Sequence, residues 1–428
     1  MGQPKEEQPA EVPREREVDR HASWAELFFD LVVVAGVGTL AHVLAAGITP
    51  TSLGLYAVLF LSFWLTWTTF MLYGNVAAER VNIPRLLFGM FGLAVMAASA
   101  PGAAHALTAS EAGHGETPTA VSAYTLAYVL TRWFGSQSWR RGEVLLDFPV
   151  AQHLAGTLPW LASLWVHDLH MKVWLWAAGV AIDLVLMFAV SGNEMLERYE
   201  ERAREDDARA LRGSRRGGRG GSADPERAAK RQARRFSARG VSVDREHLSE
   251  RLGLFMIIVL GESMIQGVAA ASESEDGSAL FRSGVASFVL VAGMFALSLV
   301  YGHAGLPHLR ADRLRPRALL GLHCLVTGVI ATVAVALAAV IKHGETPLPD
   351  SLRWLLCGAV AAYFALGLVA AIAAHGFHAL TVVAWVVSGI GVPLALATWA
   401  GSLPGATLVA YMAAVVMVHV LVERRVSR

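Results

Sequence analysis

Long apolar runs, each bounded by a charge, a proline or a glycine, recur along the chain. About twelve reach the roughly 20 residues that a helix needs to cross a bilayer core. They fall at 26–46, 53–73, 85–107, 119–139, 144–166, 172–191, 250–271, 281–302, 317–341, 352–374, 377–400 and 404–422. Helices are the element predicted, because lipid leaves no backbone group unpaired and the runs are too long for barrel strands. The expected fold is an all-α integral membrane protein of about 12 transmembrane helices.

The polar stretches between the runs repeat. YGN at Tyr73 returns as YGH at Tyr301, AERV at Ala78 as ADRL at Ala311, and PRLLFG at Pro84 as PRALLG at Pro316. His21-Ala22-Ser23 is echoed by His247-Leu248-Ser249, with Phe29 and Phe255 at matching distance. An ordered series of this kind implies an internal duplication. With six spans per half, both halves enter from one side, giving two parallel six-helix repeats. The boundaries follow: an N-tail over 1–24, a first membrane half over 25–191, a linker over 192–249, and a second half with a short C-tail over 250–428.

Composition agrees with the pattern, since 54% hydrophobic and 17% charged residues are too oily for one soluble core. Net charge near zero conceals an asymmetry. With the N-terminus inside, about 31 of the 36 basic residues lie on the inner side and about four outside, which predicts cytoplasmic termini and a cytoplasmic linker. Trp160, Trp165, Trp174 and Trp176 flank one short outer loop, as an interfacial aromatic belt would. The N-tail carries no signal-peptide pattern, so no cleaved leader is expected. Cys324 and Cys357 lie within spans and suggest packing, with neither a disulfide nor a metal site. The linker opens on NEMLERYEERAREDDARALRG, compatible with a charged helix, and then becomes too rich in Arg and Gly to bury a core. Its basic run suits anionic lipid of the inner leaflet better than nucleic acid, although RGGRGG from Arg216 has RNA-binding character.

Two motifs, WAELFFDLVVVAGV from Trp24 and ERLGLFMIIVLGES from Glu250, resemble the paired blocks of the bacterial low temperature requirement protein A family. The resemblance extends over most of the span region. It implies a multi-span protein of a bacterial cytoplasmic membrane, in a family named for a growth phenotype in the cold, and it implies no particular reaction or cofactor. The long Arg-rich linker and Met256 depart from the family pattern.

Ionisable residues inside spans are costly and therefore the candidate functional groups. Glu26 and Asp30 stand one turn apart near the inner end of the first span. An interfacial helix cap is the simple reading of Glu26, and a buried partner such as an Arg from the PR loops that of Asp30. Glu262 is expected near the midplane, beside Gly261, Ser263 and Gln266, whose small or polar side chains leave room for water or a ligand. Arg132 is its expected partner, with Asp183 or Asp30 as alternates. Asp183 and His153 are expected at similar depth, His153 as a proton-relay candidate. His42, His105 and His323 read as packing or interfacial residues. Ala35, Gly36, Gly38 and Ala41 would permit close helix approach, while Pro101, Pro159 and Pro393 would kink or break helices.

Enzyme signatures are absent: no HExxH, GxSxG, Walker loop or GxGxxG after a strand, and His167-Asp168 alone is too little for a base and its partner. No catalytic residue, metal or cofactor is assigned. The function expected is a proton- or ion-coupled secondary transporter or ion pathway for a small solute or ion. Its rivals are a non-transport membrane protein of cold or envelope adaptation that binds lipids or partners, and an intramembrane transferase. A water path to Glu262 from both sides would favour transport, and a sealed ionic cluster the first rival.

Overall fold

The computed structural model describes residues 22–45, 47–77, 80–111, 119–139, 143–198, 200–201, 205, 239–273, 277–301, 314–343, 345–375 and 379–426. The N-tail to residue 21, most of the linker, and residues 78–79 and 302–313 of the echoing loops therefore lie outside the described residues. In chain order the elements are α1 (Trp24–Ala45), α2 (Pro50–Ala77), α3 (Ile83–Glu111), α4 (Thr119–Ser136), β1 (Glu143–Leu145), α5 (Thr157–Ser163) and α6 (Leu169–Ala189). After the linker come β2 (Arg239–Val241), α7 (Arg245–Ser272), α8 (Gly277–Phe295), α9 (Pro316–His343), α10 (Asp350–His375), α11 (Ala379–Ala384), α12 (Val392–Trp399) and α13 (Gly405–Val426). Among the described residues ten helices are long and apolar enough to cross a membrane. The chain is thus an all-α membrane protein, apart from one two-stranded parallel pairing of β1 with β2.

The fifth apolar window, 144–166, is not a continuous helix. It holds β1, a 3₁₀ turn at Pro149–Gln152 and the seven-residue α5. Asp147, Pro149, Gly156 and Pro159 interrupt the run, and hydropathy averaged over 20 residues does not register such breakers. Gln152 replaces the missing helical ladder locally, donating to the Glu143 carbonyl at 2.9 Å and accepting from Leu145 N–H at 3.0 Å. Helix α4 is continuous but, with Arg132 and several hydroxyls, is not among the ten. Two π-helical turns interrupt later spans, at Ala296–Val300 after α8 and Trp385–Gly391 between α11 and α12. Pro101 is accommodated within α3, and Pro393 opens α12.

Helix α2 is the buried axis of the bundle, with 83% of its span covered. Its Ser62, Thr66 and Thr69 hydroxyls return to carbonyls three or four residues back and so reach the interior satisfied, whereas Thr68 Oγ1 is buried without a partner among the described residues. Helix α1 packs on α3 and α7, and α7 in turn on α9. The small-residue stripe of α1 acts partly as expected: Gly36 faces the Phe63 ring and Ala41 is fully buried, whereas Ala35 is exposed. Two similar clamps recur. Tyr124 of α4 donates to the Leu59 carbonyl of α2 at 2.9 Å and pairs with Ser62 Oγ at 3.0 Å. Tyr363 of α10 donates to the Met294 carbonyl of α8 at 3.1 Å and pairs with Ser298 Oγ at 2.7 Å.

Candidate functional site

The start of α1 builds half of the principal site. Ser23 and Glu26 form a capping box: Glu26 Oε2 accepts from Ser23 N–H and Ser23 Oγ, each at 2.9 Å, and Glu26 N–H reaches Ser23 Oγ at 3.4 Å. One carboxylate oxygen thus remains for a second task. Asp30, one turn deeper, points the same way and is fully buried.

Helix α7 supplies the other half. Asp244 caps it by accepting from Glu246 and His247 N–H, and Asn75 at the end of α2 fixes Asp244 through two backbone hydrogen bonds of 2.9 Å. His247, Arg251 and Phe255 recur every fourth residue and face α1 together. Arg251 Nη1 lies 2.9 Å from Glu26 Oε1. Its Nη2 and Nε grip both oxygens of Asp30, at 2.7 and 3.0 Å, in the bidentate fork that suits guanidinium to carboxylate. Trp67 of α2 adds an indole N–H to Asp30 Oδ1 at 2.9 Å. His247 places Nε2 3.4 Å from Glu26 Oε1 and Nδ1 3.7 Å from Glu250 Oε2. Beneath the cluster Trp67 lies against Phe255 and stacks on His323, whose Nδ1 accepts from Trp64. His323 is accordingly a packing residue, as its sequence context suggested.

A second buried pair joins the first-half helices. Arg132 Nη2 meets Asp183 Oδ2 at 3.1 Å and the Val150 and His153 carbonyls at 3.3 Å, while Nη1 donates to Thr69 Oγ1 at 2.6 Å. Tyr128 O–H completes the pair at 3.2 Å from Asp183 Oδ2. Arg132 therefore also holds the broken segment after β1, using carbonyls that no helix satisfies. Asp183 approaches Gly156 so closely that a side chain there would collide with its carboxylate.

Two expectations are corrected. Arg132 pairs with Asp183, the alternate partner, and not with Glu262. Glu262 is half-buried against Gly38 of α1, within 3.4 Å of Gln266 Nε2. Asp30 takes Arg251 and not a PR-loop arginine: Arg85 donates to the Gln137 carbonyl, and Arg317 to the Asp147, Leu146 and Val190 carbonyls, so both bind backbone just past the ends of α4, β1 and α6. Of the predicted site residues, Glu26 and Asp30 meet in one cluster, Arg132, Asp183 and the His153 backbone meet in another, and Glu262 stands apart. Sequence reading missed Arg251, His247 and Trp67. The signal that could have found Arg251 is the His247, Arg251, Phe255 spacing, which marks one helix face.

A model of the family described as bacterial low temperature requirement A protein matches residues 21–421, spanning both motifs and nearly every residue of these clusters. The chain belongs to that family. No curated protein and no solved structure matched in the same comparisons. Both acidic residues of the cluster on α1 lie in the first motif, and Arg251 is the second residue of the other, so the two motifs meet in space as an ion pair. Among the described residues no cluster of His, Cys, Asp and Glu could hold a metal.

Proposed function

We propose that this member of the low temperature requirement A family is a proton-responsive secondary transporter or ion pathway, worked by the Glu26, Asp30, Arg251 and His247 cluster. One observation carries the reading: the first helix before the linker and the first after it are joined, at the same end, by ionisable groups buried from solvent. His247 turns a nitrogen toward a carboxylate on each side. A neutral ring has one N–H to offer and an imidazolium has two, so protonation strengthens the junction and proton loss weakens it. Glu262 would serve as a further acidic station, about 12 Å deeper along α1 by the separation of Asp30 and Gly38. Its solute remains a small molecule or ion.

The same reading includes twelve passes in two parallel repeats with both termini cytoplasmic. Support comes from the sequence echoes, from α1 on α3 matching α7 on α9, and from the paired Tyr124 and Tyr363 clamps. The 144–166 segment would make the fifth pass in broken form, as transporters use discontinuous helices at binding sites. Anionic lipid at the Arg-rich linker belongs to this proposal as well.

Purified protein in liposomes with an imposed pH gradient tests it against a panel of ions and metabolites. Flux that requires the gradient and disappears in Asp30→Asn and His247→Gln is the expected result. Failure of every substrate across the panel would end it. A second reading, a non-transport membrane protein that binds lipids or partners, draws on the sealing of both ion pairs within the bundle. It predicts no flux, with binding retained in both variants.

A further inference from the structure

At the end of the bundle opposite the Asp30–Arg251 pair, α7, α8 and α9 enclose a cavity of about 130 Å³. Its walls are mainly Met264, Val268, Phe288, Val291, Leu337 and Ile341, with the hydroxyls of Ser263, bonded back to the Val259 carbonyl, and of Ser287, which is buried without a partner among the described residues. Two glycines make the space: a Cβ on Gly284 would meet nothing within 4 Å, and one on Gly267 would just touch Ile341. The cavity opens sideways, since Val268 and Phe288 are 66% and 56% exposed on helices of membrane-spanning length. In a bilayer that opening faces acyl chains. A largely apolar cavity of about this size has room for a hydrocarbon segment.

The ends of the same helices carry two exposed ion pairs. Lys342 Nζ meets Glu273 Oε2 at 2.5 Å, tying α9 to α7, and Arg282 Nη2 meets Glu345 Oε1 at 2.7 Å, tying α8 to the loop after α9. By helical rise Arg282 stands about 3 Å above Gly284 and about 14 Å above Val291. A polar rim therefore sits one lipid-headgroup depth above an apolar slot, and the rim presents two cations alternating with two anions.

We propose that this is a binding site for one zwitterionic phospholipid of the leaflet opposite the α1 N-terminus. Its acyl chain enters the slot between α7, α8 and α9, its phosphate exchanges onto Arg282 and Lys342, and its ammonium onto Glu273 and Glu345. Exposed ion pairs contribute little by themselves, so trading them for headgroup contacts costs little. An anionic headgroup would gain the two cations and meet the two carboxylates unpaired, which sets the preference by charge complementarity. The site is independent of the transport reading.

Native mass spectrometry of the full chain released from nanodiscs of equal phosphatidylethanolamine and phosphatidylglycerol, with identical chains, tests the proposal. One retained phosphatidylethanolamine per chain is expected, enriched about two- to fivefold over phosphatidylglycerol, the range set by surface ion pairs. Gly284→Leu, which adds a side chain to the slot from a position where a Cβ meets nothing within 4 Å, should abolish the retained lipid. Arg282→Gln, Glu345→Gln, Lys342→Gln and Glu273→Gln together, all four exposed, should keep a lipid but remove the headgroup preference. Equal or preferential retention of phosphatidylglycerol by the unmodified chain would overturn the proposal, as would lipid retention by Gly284→Leu equal to that of the unmodified chain.

Discussion

A carboxylate in a bilayer is tolerable only when its charge is met, and Asp30 meets it through three hydrogen bonds from Arg251 and Trp67. Such a pair contributes modest net stability, yet breaking it strands a buried charge. Asp30→Asn or Arg251→Gln alone should each cost about 3–5 kcal/mol, seen as lower folded yield and a lower melting temperature in detergent. The double substitution should recover most of the Asp30 loss while Glu26, still capped by Ser23, tolerates the missing guanidinium better. Gly156 works at the same scale by absence. A methyl there would run into the Asp183 carboxylate and the Gly179 carbonyl, neither of which can retreat from its packed helix. Gly156→Ala should destabilise by about 1–3 kcal/mol, and in an Asp183→Ala background, itself weakened by the stranded Arg132, the same change should cost less in the thermal melt.

Helix α2 ties the two ion pairs together. Trp67 serves Asp30 on one side and Thr69 serves Arg132 on the other, two residues along the same buried helix. A shift of α2 is therefore felt at both pairs. Trp67→Phe and Thr69→Val should be non-additive by about 0.5–3 kcal/mol in a double-mutant cycle on thermal stability, whereas Thr69→Val with the remote Gly284→Ala should add simply. At the opposite end of the bundle, just past α7, the Lys342 ammonium holds the Glu273 carboxyl below its ordinary range through a hydrogen bond and direct charge. A carboxylate lowered in this way keeps its partner above the ordinary pKa and loses it only as pH falls through the lowered value. The headgroup preference proposed for that rim should then be flat from about pH 5 to 8 and decline below that, read from lipid retention at each pH.

For the whole molecule, the twelve proposed passes would put most basic residues on one side, and the positive-inside rule then predicts cytoplasmic termini and linker. In a chain whose buried Cys324 and Cys357 are silent, cysteines at Gly213 or Ser427 should resist an impermeant thiol reagent in intact cells, and one at Gly115 should react. Labelling at Gly213 in unbroken cells would reverse the map. The sequence by itself determined the membrane class, the helical elements and the family, because burial in lipid demands apolar length and backbone self-pairing, both written in consecutive residues. It also marked Glu26, Asp30, Arg132 and Asp183 as costly charges that must be compensated. Which charge compensates which was decided only by the tertiary structure. Asp30 and Arg251 are separated by 221 residues and Arg132 and Asp183 by 51, and the rotation of each helix about its axis chooses the partner. The same holds for the fifth window: mean hydropathy is indifferent to Pro149 and Gly156, while the Arg132 guanidinium supplies the hydrogen bonds that let the backbone there leave the helix.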